Sequence, residues 1–250
     1  MHVFSYFIDG LLIDSGQPRV EKQFCNALEE VPIDTLLITH HHEDHSGNIE
    51  AIKKLKGIEA FASPECCQLM LHPKRVEPAR WLTWGQHTRA QLLPIPEDGL
   101  IETERYKFQA FPTPGHAIDQ ISLLEQDEGW LFPGDLYVND YIKVFMRDEE
   151  IGLQIKSLKE LIDLDFKWLF CQHNPKLKNG KAHLKNKLQF LEDFYGKVAM
   201  VYQEEKGPKA IMRILSLKEN SKAKVLSLGQ LSMLNMVRSV INDIESHNVI

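Results

Sequence analysis

Hydrophobic positions in the first part of the chain come in short runs set between turn residues. Val3 to Ile8 and Leu11 to Ile13 flank Asp9-Gly10, a pattern that predicts two strands joined by a tight turn. A helix of about ten residues follows over Val20 to Glu29, and Asp34-Thr35-Leu36-Leu37-Ile38 then reads as a buried strand. Ile49, Ile52 and Leu55 share one face of a helix that Asn48 would cap and Gly57 would end. Ile58 to Ala62 is the next strand, and Pro64 opens a short helix through Met70. Further strands are expected at Tyr106 to Phe111, Gln120 to Leu124, Gly129 to Phe132 and Trp168 to Cys171, with a helix over Gly152 to Leu164 before the last.

Two stretches break this rhythm. From His72 to Gln91 no period is visible, and Pro73, Pro78, Trp81 and Trp84 interrupt the pattern. A long irregular segment of this sort is either a lid or substrate wall or a packed surface excursion, and the pattern leaves both open. Beyond Gly180 the chain turns helical, over His183 to Glu204, Pro208 to Leu217 and Ser227 to Ser246. Ser227 and Gln230 suit a capping box for the last helix, and Leu231, Leu234, Val237, Ile241 and Ile244 mark its apolar face. The expected organisation is therefore an α/β body over residues 1–180 and a helical, winged-helix-like segment over 181–250. Packing on the body or dimerisation, giving a homodimer, is the favoured role of that segment over reading DNA.

Composition narrows the picture without deciding it. The chain has 250 residues, 43% hydrophobic and 26% charged, enough for one sizeable core and a small appendage. No apolar run is long enough to span a membrane, and Asp9 and Asp14 interrupt any secretory leader at the start. Cys25, Cys66, Cys67 and Cys171 match no zinc-knuckle or disulfide spacing, so reduced thiols in a cytoplasmic protein are expected. A net charge of −6 disfavours nucleic acid as a partner. Lys176, Lys178, Lys181, Lys185 and Lys187 read as the solvated face of a helix rather than a phosphate-binding stripe.

The chemistry is concentrated in His40-His41-His42-Glu43-Asp44-His45. Four metal-binding side chains, His40, His42, Asp44 and His45, fall within six residues directly after a strand. Imidazole and carboxylate suit zinc and similar borderline metals. The same strand-then-ligand arrangement recurs before His116, Asp135 and His173, and this repetition supports a site more strongly than any one motif. His41 and Glu43 would be bystanders. His2, His72, His87, His183 and His247 are expected at the surface, with His72 or His87 the ones able to reach the site. Asp14 suits either a ligand-orienting role or turn stabilisation.

His40-x-His42-x-Asp44-His45, Pro114-Gly115-His116, Gly134-Asp135 and His173 resemble the metallo-β-lactamase superfamily in order and spacing, and Ile13-Asp14-Ser15-Gly16 resembles its early aspartate turn. The likeness runs from about residue 5 to 175. It implies a four-layer αββα sandwich with two divalent ions at one edge of two facing sheets. The resemblance assigns His40, His42 and His116 to the first ion and Asp44, His45 and His173 to the second, with Asp135 bridging. Zinc is the first expectation, and iron or manganese tolerate the same ligands.

Departures from the family pattern narrow the branch. Asp135 argues against antibiotic-hydrolysing members that carry cysteine there or lack the bridge, and His42 argues against flavin-linked di-iron members. The full second-metal set argues against mononuclear-iron persulfide dioxygenases. No cap domain or RNA-gripping arm of the nuclease branches is visible. The glyoxalase II and lactonase branch remains. The expected function is a hydrolase of a small ester, thioester or lactone, using a hydroxide between the ions as nucleophile. In this branch Asp44 would orient that nucleophile and Tyr137 would polarise the carbonyl, with packing beneath the loop as the alternative for Tyr137. Two other readings stand beside it, a phosphodiesterase or ribonuclease on the same metal pair and a non-hydrolytic iron-binding redox protein.

Overall fold

The structure, a computed structural model, describes residues 2–247. Its first sheet is built from β1 (Tyr6–Ile8), β2 (Leu11–Ile13), β3 (Thr35–Leu37), β4 (Ala60–Ala62) and β5 (Leu93–Pro94), in that spatial order. Its second sheet runs β10 (Trp168–Leu169), β9 (Trp130–Phe132), β8 (Ile121–Glu125), β7 (Lys107–Pro112) and β6 (Leu100–Glu102). The helices are α1 (Glu21–Leu28), α2 (Glu43–Ser46), α3 (Ile49–Lys56), α4 (Pro64–Leu71), α5 (Pro78–Thr83), α6 (Ile151–Asp163), α7 (Gly180–Tyr202), α8 (Pro208–Ile214), α9 (Ser221–Leu226) and α10 (Met233–His247). The β1–β2 hairpin turns at Asp9 and Gly10, both at positive φ (49° and 87°), as the Asp-Gly pair predicts.

Three apolar clusters separate four layers. Alternation in the strands decides which cluster each side chain joins. Leu11, Ile13 and Leu37 face Phe108, Ala110, Leu123 and Phe132 between the sheets. Their neighbours Leu12, Leu36 and Ile38 point the other way and pack with Leu28 of α1, Ile49 and Ile52 of α3, and Cys66 and Met70 of α4. On the far side, Leu124, Leu131 and Leu169 pack against Leu158 of α6, Leu184 and Leu191 of α7, and Val237 and Val240 of α10. The result is the expected αββα sandwich.

The C-terminal region is helical, as expected, and it packs on the body. α7 and α10 complete the outer layer over the second sheet, in one continuous core with α6. No strand follows β10 among the described residues, so the wing of a winged helix is absent. The last helix begins at Met233, not Ser227. Leu228 and Gly229 lie at positive φ (50° and 82°), which a helix cannot continue through, and Ser227 Oγ accepts from Leu231 N inside a turn. The irregular segment after His72 contains α5, and Asn48 makes no side-chain cap to α3. Its amide instead donates to the carbonyls of Ser15 and Gln17 at 2.7 and 3.1 Å, tying α3 to the turn after β2.

Strand direction sets where the chemistry collects. β2 and β3 are parallel, so their C-terminal ends share one edge. In the second sheet β7 and β9 each pair antiparallel with β8, and β10 runs parallel to β9, so those three also end together. Ile121 N donates to Thr39 O at 3.0 Å and joins the two sheets at that edge.

Candidate metal centre

Five strand ends deliver the functional side chains. Asp14 follows β2, His40 to His45 follow β3, His116 follows β7, Asp135 follows β9 and His173 follows β10. Gly115 holds φ +131°, and a Cβ there would lie 2.4 Å from the Gln154 backbone nitrogen, so only glycine fits before His116. The Gly134–Leu136 3-10 turn carries Asp135 inward.

The side chains converge as two groups. His40 Nε2 and His116 Nε2 lie 3.1 and 3.0 Å from His42 Nδ1. His173 Nε2 lies 3.3 Å from Asp44 Oδ2, and His45 Nε2 lies 3.9 Å from the same oxygen. Asp135 sits between the groups. Its Oδ1 is 3.5 Å from His45 Nε2, and its Oδ2 is 3.5 Å from His116 Nε2 and 3.2 Å from His173 Nε2. His40, His42 and His116 have one potential ligand atom each within mutual reach, as do Asp44, His45 and His173, and also His40, His45 and Asp135.

Outward-facing nitrogens are held in place, which fixes the tautomers. Asp14 is fully buried and accepts from Thr39 N at 2.8 Å, His45 Nδ1 at 2.8 Å and Gln172 Nε2 at 2.8 Å. The Thr39 hydroxyl donates to Asp14 at 3.0 Å and therefore accepts from His40 Nδ1 at 3.1 Å. His173 Nδ1 donates to His2 O at 3.0 Å, and His116 Nδ1 faces Glu149 Oε2 at 3.4 Å. In each case the Nδ1 proton is committed outward, so Nε2 is the nitrogen left to face the centre. Asp14 thus orients ligands instead of merely stabilising its turn. Thr39, Glu149, Gln172 and the His2 carbonyl carried no sequence signal, because each acts through a contact that only the folded chain creates.

The donor set fits divalent cations. His45 Nε2 and Asp135 Oδ1 are buried without a hydrogen-bond partner, and His40 Nε2, His42 Nδ1 and His116 Nε2 crowd together in one buried cluster. Orphaned acceptors of this kind are stabilised by a shared cation. Electrostatics agrees. Burial, reinforced by neighbouring imidazoles and, for His42, Arg80, pushes His40 and His42 well below the ordinary histidine value. Burial acts the same way on His45 and His173, but the carboxylates of Asp135, Asp14 and Asp44 overcome it. They drive His45 well up and His173 up to about 11. Burial also opposes ionisation of Asp135, yet His173 and His45 hold its carboxyl well below the usual range. The carboxylate-rich half therefore attracts positive charge even when the only source is protons.

Some sequence-predicted residues sit elsewhere. Tyr137 is fully buried in the outer core, and its hydroxyl donates to Asp140 Oδ1 at 2.6 Å, where His183 Nδ1 also meets Asp140 at 2.8 Å. This is the packed position beneath the loop, with the hydroxyl engaged by Asp140. His183 is thereby half-buried and engaged, not a free surface residue. His87 is also buried, with Nδ1 3.3 Å from Ser46 Oγ. His41 and Glu43 are not bystanders. His41 Nδ1 donates to Asp119 at 2.8 Å, and Glu43 is buried in a bidentate pair with Arg80 at 2.7 and 2.5 Å. Lys187 departs from the solvated lysine face, since it is buried and donates to Leu136 O at 2.5 Å beneath the Asp135 turn.

Comparison with known proteins places this geometry. A beta-lactamase-like protein 2 homolog from Drosophila melanogaster is 28% identical over 168 residues, 65% of this chain and 54% of that protein. A hydroxyacylglutathione hydrolase from Idiomarina loihiensis is 27% identical over 199 residues, 78% of this chain and 69% of its own. The chain spans about half the length of the first curated relatives it matches. Among solved structures, a motif mutant of a metallo-beta-lactamase from Cronobacter sakazakii superposes with a TM-score of 0.64 at 15% identity, covering 82% of this chain and 93% of that one. A superfamily protein from Sulfolobus tokodaii gives 0.59 at 18%, covering 75% and 79%. At such identities the likeness speaks for the fold alone. The profile of the metallo-beta-lactamase superfamily matches residues 1–173, and the chain belongs to that family.

Proposed function

We propose that the protein is a dinuclear, zinc-dependent hydrolase of a small ester, thioester or lactone. The observation that carries this reading is the placement of Asp135, whose two oxygens face ligands of both groups. His40, His42 and His116 would hold one ion, and Asp44, His45 and His173 the other. When bound, such a pair supplies Lewis acidity and lowers the pKa of water towards about 7. Asp44 Oδ2 faces His45 and His173, which leaves Oδ1 to accept a hydrogen bond from the attacking water and aim it at the carbonyl carbon. Asp14, Thr39 and Glu149 keep the ligand imidazoles in the tautomer that presents a lone pair inward. Thioester cleavage is further supported by similarity to hydroxyacylglutathione hydrolases. No helix among the described residues is long and apolar enough to cross a membrane.

Elemental analysis of the purified chain, with assays on an ester, a thioester, a lactone and bis-p-nitrophenyl phosphate, tests the proposal. Two zinc ions per chain and turnover of a carbonyl substrate are expected. Turnover confined to the phosphodiester, or stoichiometric iron with oxygen consumption and no hydrolysis, overturns it.

A further inference from the structure

A cleft of about 350 Å³ opens beside the metal centre, with His41, His42 and Glu43 in its inner wall. It is continuous in its lining with an outer cavity of about 940 Å³, since Pro73, Arg75, Val76, Glu77 and His87 border both. Volumes of this order are those of small-molecule sites. The inner wall belongs to the loop after β3 and the start of α2, and the outer wall to the segment around α5. Two contacts join the walls: Ser46 Oγ lies 3.3 Å from His87 Nδ1, and a stronger ionic contact lies beside it. Arg80 of α5 makes a bidentate pair with buried Glu43, and its remaining nitrogen reaches Met146 Sδ at 3.3 Å. Glu43 therefore fixes the distance between the wall and the ligands on either side of it in sequence, His42 and Asp44.

The lining says what the corridor accepts. Leu69, Pro73, Val76 and Ile118 give the inner cleft an apolar surface, and Ile118, two residues past His116, is 59% exposed. Further out, Pro78 and Trp81 continue the apolar track, with Trp81 backed by the Arg19 guanidinium 5.3 Å from its ring. The charges of the inner cleft balance. Arg80 is neutralised by Glu43, and Lys74 and Arg75 are matched in number by Glu77 and Asp148. A corridor without net charge gives no Coulombic preference for a charged arm, while its apolar surface rewards burial of hydrocarbon.

We infer that this corridor is the acyl-arm site of the hydrolase proposed above, selecting esters and thioesters with an uncharged, extended apolar acyl chain. The inference rests on that hydrolase reading, and α5 with Trp81 and Val76 then determines specificity. The Arg80–Glu43 pair is a positioning contact that ties the wall to the residues beside the metal centre.

The zinc-loaded full chain is assayed on p-nitrophenyl esters from acetyl to octanoyl. kcat/KM is expected to rise about threefold per added methylene over the first few, in line with burial of hydrocarbon. Trp81→Ala and Val76→Asp should each lower the octanoyl-to-acetyl ratio at least fivefold. Trp81 is half exposed, so its variant folds. Calorimetry on metal-free protein with methyl ketones of the same chain lengths, which present the arm but no scissile bond, gives a second readout. Affinity should rise with length and fall in both variants. A flat chain-length profile in an enzyme that does hydrolyse esters overturns the inference, as does length-independent ketone binding. Length-dependent ketone binding without hydrolysis of any ester instead retains the arm site and defeats the hydrolase reading.

Discussion

Replacing Asp14 by asparagine isolates the most consequential carboxylate outside the ligand set. Asp14 sits at φ +63°, a conformation asparagine adopts readily, so the backbone is not disturbed. Shape is conserved and charge is lost. The carboxylate accepts from Thr39 N, the Thr39 hydroxyl, His45 Nδ1 and Gln172 Nε2, with no donor of its own. An asparagine must aim its NH2 at one of these donors in either orientation. One charge-assisted hydrogen bond is lost and a second is opposed, a cost of about 3 kcal/mol in a fully buried site. The metal consequence is larger in kind. Asp14 holds His45 directly and His40 through the Thr39 hydroxyl, so one side chain sets a tautomer in each ligand group. Loss of such a backing group lowers metal affinity by about 10- to 100-fold. Competition against a chromogenic zinc chelator measures both binding steps, and urea unfolding of the metal-free protein measures the stability term. Wild-type affinity at both steps in Asp14→Asn would refute the orienting role.

Other consequences are as direct. Arg80→Gln leaves Glu43 buried without its partner and should cost about 2 kcal/mol in urea unfolding, while the double change with Glu43→Gln recovers most of it; equal losses in the two proteins would refute the clamp. Burial lowers His87 to about 4. The unfolded chain then takes up a proton near pH 6.5 that the folded chain refuses, so stability falls as pH drops from about 6.5 towards 4, by about 2 kcal/mol at pH 5. His87→Asn should remove that part of the slope in metal-free protein. Burial also lowers Lys187 to about 8. Between there and its unfolded value near 10.5 the unfolded chain holds more protons, so stability rises with pH across that window, and Lys187→Met should flatten the rise.

What was legible in the sequence follows from how local each cause is. The convergence of these side chains was readable because His40 to His45 lie directly after a strand, and because His116, Asp135 and His173 repeat that placement at strand ends. The sandwich was readable from strands whose alternate residues go to opposite clusters. Contacts spanning the chain were not readable. Gln172 meets Asp14, Glu149 meets His116 and His173 meets the His2 carbonyl, each through packing that no local pattern encodes. The Gln172 amide is a fourth donor to Asp14, reached from 158 residues away in sequence. The C-terminal boundary was misread for a related reason. Ser227 and Gln230 have the spacing of a capping box, but Leu228 and Gly229 at positive φ override it.

The ties between distant residues also bear on the order in which the protein is made. His40, His42, Asp44 and His45 leave the ribosome early as a cluster able to capture a metal ion with only part of its coordination shell. Asp135, His173 and the Lys187 ammonium that holds the turn under Asp135 emerge more than 90 residues later. α7, which carries Lys187, also supplies Leu184 and Leu191 to the core on which the second sheet rests. The position of Asp135 between the two groups therefore forms only after the segment through α7 has been synthesised. If the centre takes up metal as proposed, an ion captured before that point would meet only part of its coordination shell, so complete loading would belong to the end of folding and not to its beginning.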